Sequence, residues 1–377
     1  MTASKRDSRI AILSPIFSNP ASHGGLTPVV RNLAWSMARR GISVDLLVRL
    51  PKGQRQVPVE LPARISVRDL GTRHRWTTAL AVAHYLRSEK PTALLAVGHG
   101  LNLAAVWAKR LAPGSRVVLS VHNTMSREAA AKGRYRQRKR LRAISRYYPL
   151  ADGIVAVSRG VSDDLVEHTS VGRDQVKVIY NPIVTPEVLA QANEPADHPW
   201  LNEGDVPVVL GVGRLEPQKA FDKLLQAFAQ LKPRRACRLI IIGEGPDRRK
   251  LEELAVALGI AEDVSMPGFQ RNPHAFMKKA NVFVLSSDFE GFGNVLVEAL
   301  AAGTPVVATD CPSGPREILD DGRFGRLVPV GDIDALAAAI GESLDEPPDE
   351  ALLAKAITRF DAATVAAQYL SYLGIPV

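Results

Sequence analysis

Apolar residues fall in short runs separated by longer amphipathic stretches. The run Arg9–Ser14 predicts a strand, and a glycine turn at Gly24-Gly25 follows it. From Pro28 to Arg40, Val29, Leu33, Trp35 and Met37 recur at near-helical spacing, and Gly41 marks the helix end. Ile42–Val48 is rich in β-branched residues and predicts the next strand. Ala93–Val97, Val117–Val121, Ile154–Val157 and Val176–Tyr180 read as further strands, with helical stretches between them. Strand–helix alternation of this kind predicts an α/β fold with a parallel, doubly wound sheet.

Residues 181–206 break the pattern. NPIVTPEVLAQANEPADHPWLNEGDV is proline-rich and polar, as linkers are. The alternation then restarts. Strands are expected at Val208–Gly213, Arg238–Ile242, Asp263–Met266, Asn281–Ser286 and Pro305–Ala308. Helices are expected at Pro217–Leu231, Pro246–Leu258, Phe292–Ala302 and Asp332–Ser343, with two more at about 349–358 and 361–373. Two Rossmann-like domains facing across a cleft, divided near 185/186, are the simplest account. Ligands of such sheets bind at the carboxyl ends of the strands.

Composition narrows the class. With 377 residues, 46% hydrophobic and 23% charged, the chain can bury large cores. Cys237 and Cys311 are two isolated thiols, too few for a cysteine-rich zinc module or a disulfide scaffold. No apolar run approaches the ~18 residues of a membrane span. The polar start MTASKRDSRI does not read as a signal peptide, so a cytoplasmic protein is expected. Charge is unevenly placed. Residues 1–190 hold 30 Lys+Arg and 12 Asp+Glu, a balance of +18; the totals of 48 and 39 leave −9 for the rest. Such asymmetry points to a polyanionic surface or ligand facing one half.

Two segments carry candidate chemistry. In Gly211-Val-Gly213-Arg214-Leu-Glu216-Pro-Gln-Lys219 a strand ends at glycines, and two cations follow at the next helix start. Glycines allow close backbone approach, and a helix N-terminus with cations attracts phosphate. Glu216 stands where a dinucleotide fingerprint has its third glycine, and the chain has no P-loop. An ordinary strand–helix turn with surface cations fits the segment equally. In Asp288-Phe-Glu290-Gly-Phe-Gly-Asn-Val-Leu-Val-Glu298, two carboxylates flank a glycine elbow. Carboxylates accept paired hydrogen bonds from vicinal hydroxyls. Taken singly, each acid reads equally as a cap or a solvated helix residue.

Together these segments carry a resemblance. The strings GVGRLEPQKAFDKLLQAF, IIGEGPDRRKLEELA, VSMPGF, ANVFVLSSDFEGFGNVLVEALAAGTPVVATD and GRFGRLVPVGD lie in order over residues 207–330. They resemble the nucleotide-sugar domain of retaining glycosyltransferase family four, on the GT-B fold. The resemblance implies that Arg214 and Lys219 bind the donor diphosphate. It implies that Glu290 holds sugar hydroxyls and Glu298 the ribose. Gly213 belongs to the diphosphate loop, and the backbone of Phe292, Gly293, Asn294 and Val295 would contact sugar and phosphate. Gly243, Gly245, Gly268 and Phe269 would border the base. The first half is similar more loosely. Ser22-His23-Gly24-Gly25 resembles the family's glycine loop, and His122 in Val121-His122-Asn123-Thr124 its cleft histidine, near the transferred hexose. Asn181-Pro182 stands where relatives often have Asn-Gly. In the family the first domain binds the acceptor, residues 186–360 would bind the donor, and the final helix, 361–377, would pack back on the first domain.

The resemblance implies transfer of a hexose or N-acetylhexosamine from a nucleoside diphosphate sugar to a hydroxyl, with no cofactor beyond the donor and no metal. Asp332-Ile-Asp334 spells a metal–nucleotide motif, but it opens an apolar helix and reads better as a cap. Cys311-Pro-Ser-Gly-Pro-Arg-Glu317 is similar to strings in enzymes that use UDP-hexoses, which favours UDP over GDP. A sugar epimerase or phosphorylase on the same fold is the nearest rival. Lys132–Arg146 holds eight cations in fifteen residues, with Tyr135, Leu141 and Ile144 interleaved. It reads as a solvated helix face, as a nucleic-acid contact, or as a contact for anionic membrane or lipid pyrophosphate through Arg136, Arg138, Lys139, Arg140 and Arg142. The donor motif argues against nucleic acid. The expected partners are a UDP-sugar, a lipid-linked or glycan acceptor and the inner membrane face, with the chain a monomer or weak dimer.

Overall fold

The computed structural model describes residues 9–15, 25–50, 61–126, 133–202 and 206–376. The chain divides into two units, Met1–Pro182 with Asp361–Val377, and Ile183–Phe360.

The first unit is built on a parallel sheet of seven strands among the described residues. They are β1 (Arg9–Leu13), β2 (Ser43–Val48), β3 (Ile65–Asp69), β4 (Ala93–Val97), β5 (Arg116–Val121), β6 (Gly153–Ala156) and β7 (Val176–Val178), in the order β3-β2-β1-β4-β5-β6-β7. Helices cover both faces, so central strands such as β4 are apolar at every position and buried throughout. The chain builds outward from β1 to β3, then restarts beside β1 with β4. The order therefore reverses between β1 and β4.

The C-terminal helix Ala362–Tyr372 belongs to this unit. Val365, Ala366, Tyr369 and Leu370 join the core that also holds Leu33 and Met37 of the helix Leu26–Arg39. Asp361 starts it by accepting from the Thr364 amide at 2.8 Å. The Tyr372 hydroxyl donates to the Gln175 carbonyl at 3.3 Å, and a side chain at Gly153 would collide with that hydroxyl at 2.4 Å.

The second unit holds a parallel sheet of six strands among the described residues. They are β8 (Val208–Val212), β9 (Arg238–Ile242), β10 (Val264–Gly268), β11 (Val282–Leu285), β12 (Val306–Thr309) and β13 (Arg326–Val328), ordered β10-β9-β8-β11-β12-β13. The order reverses between β8 and β11. Phe221, Leu224, Leu225 and Phe228 of the helix Phe221–Leu231 pack on this sheet, beside Leu336 and Ile340 of the helix Ile333–Asp345.

Three expectations need correction. Residues 181–206 are not a bare linker. Thr185 accepts from the Val188 amide at 3.2 Å and Pro186 opens a helix, Pro186–Ala192. Val188 and Ala192 are buried, and from Ile183 onward the segment is part of the second unit. The helix expected from Pro217 is broken: Pro217–Lys219 is a separate 3-10 turn, and Ala220 takes a left-handed φ of 48° before the helix begins at Phe221. The helix expected from Phe292 starts at Asn294, after Gly293 at φ 96°.

Candidate active site

In a doubly wound sheet the order reversal leaves a crevice at the strands' carboxyl ends. In the second unit that point lies after β8 and β11. Both acidic and basic candidates from the sequence fall there.

The backbone comes first. The turns after β8, β9 and β10 are laced together: Gly213 N–H donates to the Ile242 carbonyl, Leu215 N–H to Glu244, and Gly243 N–H to Gly268, each at 3.0 Å. The packing leaves no room for side chains. A Cβ on Gly243 would sit 1.8 Å from the Gly213 oxygen, and one on Gly245 would sit 2.3 Å from the Leu215 oxygen. The stem of Lys219 lies over Gly213, at 3.3 Å from where a Cβ would be. These glycines thus let three strand ends meet and seat one lysine.

The side chains follow. The break at Ala220 is held by Ser286, whose hydroxyl donates to the Lys219 carbonyl at 2.8 Å. Lys219 Nζ then meets Glu290 Oε1 at 2.5 Å, with both side chains largely buried. Ser287 Oγ donates to the same carboxylate oxygen at 2.7 Å. Beside this pair, Lys223 bonds Asp288 at 2.5 Å. Arg214 is exposed and pairs with Glu216 at 2.9 Å. Glu298 lies in the second turn of the helix Asn294–Ala301. Burial pushes its carboxyl up to about 7, while the charge of Lys219 pulls the other way.

A second loop braces the first. Ser313 Oγ donates to the Gly291 carbonyl at 2.9 Å. Gly314, at φ 102°, is packed so closely that a Cβ would stand 1.7 Å from the Phe292 oxygen. Phe292 meets Phe360 edge to face, with centroids 5.6 Å apart. The start of the Asn294–Ala301 helix is thereby fixed, with the Leu296 amide donating to the Gly293 carbonyl at 2.9 Å. The Cys311 thiol is pushed up to about 12, first by burial and then by Glu290, so it stays protonated. Asp332 Oδ1 accepts from the Ala335 amide at 2.9 Å and caps its helix.

The structure brings Lys219, Glu290, Glu298, Gly213, Gly243, Gly245, Gly268, Phe292 and Gly293 to the carboxyl end of one sheet. Phe269 follows β10 as a largely exposed aromatic. His122 lies in the first unit, just past β5. Its Nε2 is 2.8 Å from Ser120 Oγ, which is 3.5 Å from the Tyr369 hydroxyl. Burial lowers its pKa to about 4, so the imidazole is neutral at ordinary pH. Gly25 precedes the helix Leu26–Arg39. Ser22, His23 and Gly24 lie outside the described residues, as does Lys132. Asn181 is buried in the first unit. Arg136, Arg138, Lys139 and Arg142 are exposed on the helix Arg134–Tyr147, and Arg140 is half-buried. Sequence reasoning missed Ser120, Tyr369, Ser287 and Ser313. Serines and a lone tyrosine carry no spacing signal, and their roles appear only when distant segments meet.

Comparison with known proteins places the chain in a family and a fold. Residues 193–360 match the family of glycosyl transferases group 1, and residues 23–186 match glycosyltransferase family 4. A lipopolysaccharide core biosynthesis glycosyltransferase, LpsE of Rhizobium meliloti, is 30% identical over 325 residues, 84% of each chain. The chain belongs to this glycosyltransferase family. An N-acetylgalactosaminyltransferase of Campylobacter jejuni, named for a diphospho-undecaprenol substrate, is 36% identical over 61% of this chain and 62% of its own length. The fold of this glycosyltransferase is that of GT-B enzymes. Anabaena HepE, solved with UDP and glucose, superposes with a TM-score of 0.75 over 97% of this chain and 99% of its own, at 21% identity.

Proposed function

We propose that this glycosyltransferase moves a hexose or N-acetylhexosamine from a UDP-sugar to a hydroxyl of a lipid-linked glycan or cell-surface polysaccharide precursor, with retention of anomeric configuration. The observation that carries the reading is the buried Lys219–Glu290 pair at the reversal point of the second sheet. One ligand that needs both a cation and a hydroxyl acceptor, 2.5 Å apart, is a diphosphate joined to a sugar. Lys219, Arg214 and the Asn294–Ala301 helix start would stabilise charge on the departing diphosphate, a task that a metal ion performs in other transferases. Glu290 would hold the sugar and Glu298 the ribose. The named substrate of the Campylobacter relative and the UDP bound by HepE support a UDP donor and a lipid-linked acceptor. The exposed cations of Arg136–Arg142 support work at an anionic membrane face.

The test is a panel of UDP-glucose, UDP-galactose, their N-acetylated forms and GDP-mannose, offered with lipid-linked acceptors. UDP release that requires acceptor, persists in EDTA and yields an α-linked product is expected. Release of UDP without acceptor, preference for GDP-mannose, or full loss in EDTA restored by Mn²⁺ would each overturn the corresponding part.

A further inference from the structure

The first unit carries an apolar patch that the transfer chemistry does not use. Trp76, in the first turn of the helix Arg75–Glu89, is 66% exposed, and Leu80, one turn on, is 61% exposed. Trp76 is not a loose side chain. Its ring stacks on Trp107 of the helix His99–Leu111, with centroids 4.0 Å apart and planes 12° from parallel. Trp107 in turn meets Tyr147 edge to face at 5.6 Å, which joins the patch to the basic helix Arg134–Tyr147. Leu111 and Leu150 are also exposed. Arg87 donates to the Leu111 carbonyl and Lys109 to the Leu150 carbonyl, so cations border the apolar surface directly.

Charge decides what such a patch fits. Residues 70–150 hold 16 Lys+Arg and two acids, Glu89 and Glu128. Glu89 is occupied by Arg9 and Arg68, and Glu128 lies outside the described residues. Arg73, Arg75, Arg87, Arg110, Arg142 and Arg146 are exposed and make no ion pair among the described residues. A rigid tryptophan pair with flanking leucines, set in a field of unpaired cations, has the composition of a surface that lies in a bilayer interface. Stacking holds Trp76 in place beforehand, so docking costs little side-chain ordering.

We propose that this face docks on an anionic lipid bilayer, with Trp76 and Leu80 entering the interface and the cations of the three helices meeting headgroup phosphates. The inference rests on the proposed membrane setting of the reaction and adds an apolar wedge to it. Charge alone gives binding that salt removes, whereas a wedge leaves a salt-resistant part.

The experiment is co-sedimentation with vesicles of phosphatidylcholine containing phosphatidylglycerol, at 0.1 and 0.5 M salt. It compares the full chain, a Trp76→Ser, Leu80→Ser variant, a Trp76→Phe variant, and one with Arg136, Arg138, Lys139, Arg140 and Arg142 changed to Gln. The serine variant should bind at least tenfold more weakly and lose the salt-resistant part. Acyl-brominated lipid should quench the parent's tryptophan emission. The Trp76→Phe variant should bind like the parent with most of that quenching gone. Equal binding by parent and serine variant, with no quenching, overturns the wedge and leaves the charge-only reading standing. No vesicle binding by the parent overturns both. A parent dimer that the serine changes convert to monomer, with vesicle binding unchanged, makes the patch a self-association face and overturns the bilayer assignment.

Discussion

Glu298→Gln tests the site through proton linkage. The carboxyl sits at about 7 instead of 4.5 because burial disfavours its charge. Each tenfold change in proton affinity is worth about 1.4 kcal/mol, so ionising Glu298 in the folded chain costs about 3 kcal/mol more than in the unfolded one. The sign follows. Below about pH 4.5 the group is protonated in both states and contributes nothing. Between about 4.5 and 7 the folded chain keeps the proton and the unfolded chain does not, so stability falls as pH rises. Above about 7 the loss is complete. Glutamine keeps the shape and has no such dependence. The variant's stability relative to the parent should therefore improve by about 2–3 kcal/mol between pH 5 and pH 8. Urea denaturation of both proteins at the two pH values measures it, and titrations of all other groups cancel in the difference. An equal gap at both pH values refutes the buried-carboxylate reasoning.

The same variant addresses binding. If the ionised carboxylate accepts ribose hydroxyls, UDP must favour the deprotonated form and release a proton near pH 7. Calorimetry in buffers of differing ionisation enthalpy should show that release in the parent and not in Glu298→Gln, together with weaker UDP affinity in the variant. Glu290→Gln should instead slow sugar transfer with UDP affinity nearly kept. Weaker UDP binding confined to the Glu290 variant would reverse the two roles.

Lys219→Ala removes the cation seated over Gly213 and should lower turnover by ~10²–10³ at saturating donor, with Arg214→Ala costing less because that side chain is exposed and already paired. Near-parental turnover in both would sink the diphosphate assignment. His122 resonances should stay flat from about pH 5 to 8, since burial holds the ring neutral, and a midpoint near 6.5 would contradict its buried state. Ser120→Ala removes the partner at 2.8 Å that orients this ring, and should reduce transfer while leaving UDP affinity alone; unchanged transfer, or a loss of UDP affinity, would contradict that role.

Much of the fold was legible because buried parallel strands are nearly continuous apolar runs. Ala93–Val97 and Arg238–Ile242 appear in the structure at the ends read from the sequence. Two of the edge strands, Ile65–Asp69 and Arg326–Val328, were not legible. Ile65–Asp69 is mostly exposed, Ser66, Arg68 and Asp69 all open to solvent, and Arg326–Val328 is three residues long. Neither has a hydrophobic signature to read. The helix start at Pro217 was misplaced for a different reason. Its proline and apolar spacing fit a helix, but a left-handed alanine is invisible to propensity, and only Ser286 from another strand end explains it. The candidate site was legible where chemistry needs unusual residues, namely glycines at strand ends and acids beside them. It was illegible where ordinary serines position those groups.

The ion pair gives the clearest reason to connect the two readings of the site. Lys219 and Glu290 are each hard to leave alone, because an unpaired charge in so buried a position carries a desolvation penalty of several kcal/mol. They neutralise each other at 2.5 Å. A neutral hydroxylated ligand entering here would serve the carboxylate but leave the lysine's charge unmatched. A purely anionic ligand would satisfy the lysine but repel the carboxylate. A ligand with an anionic group for Lys219 and hydroxyl donors for Glu290 compensates both, and Ser287 keeps the carboxylate in position while its partner changes. The glycine turns beneath Lys219 and the braced loop above Glu290 hold their backbones by contacts that do not depend on the pair. The pair can therefore open without the turns unravelling, as the proposed exchange of Lys219 for a donor at Glu290 requires.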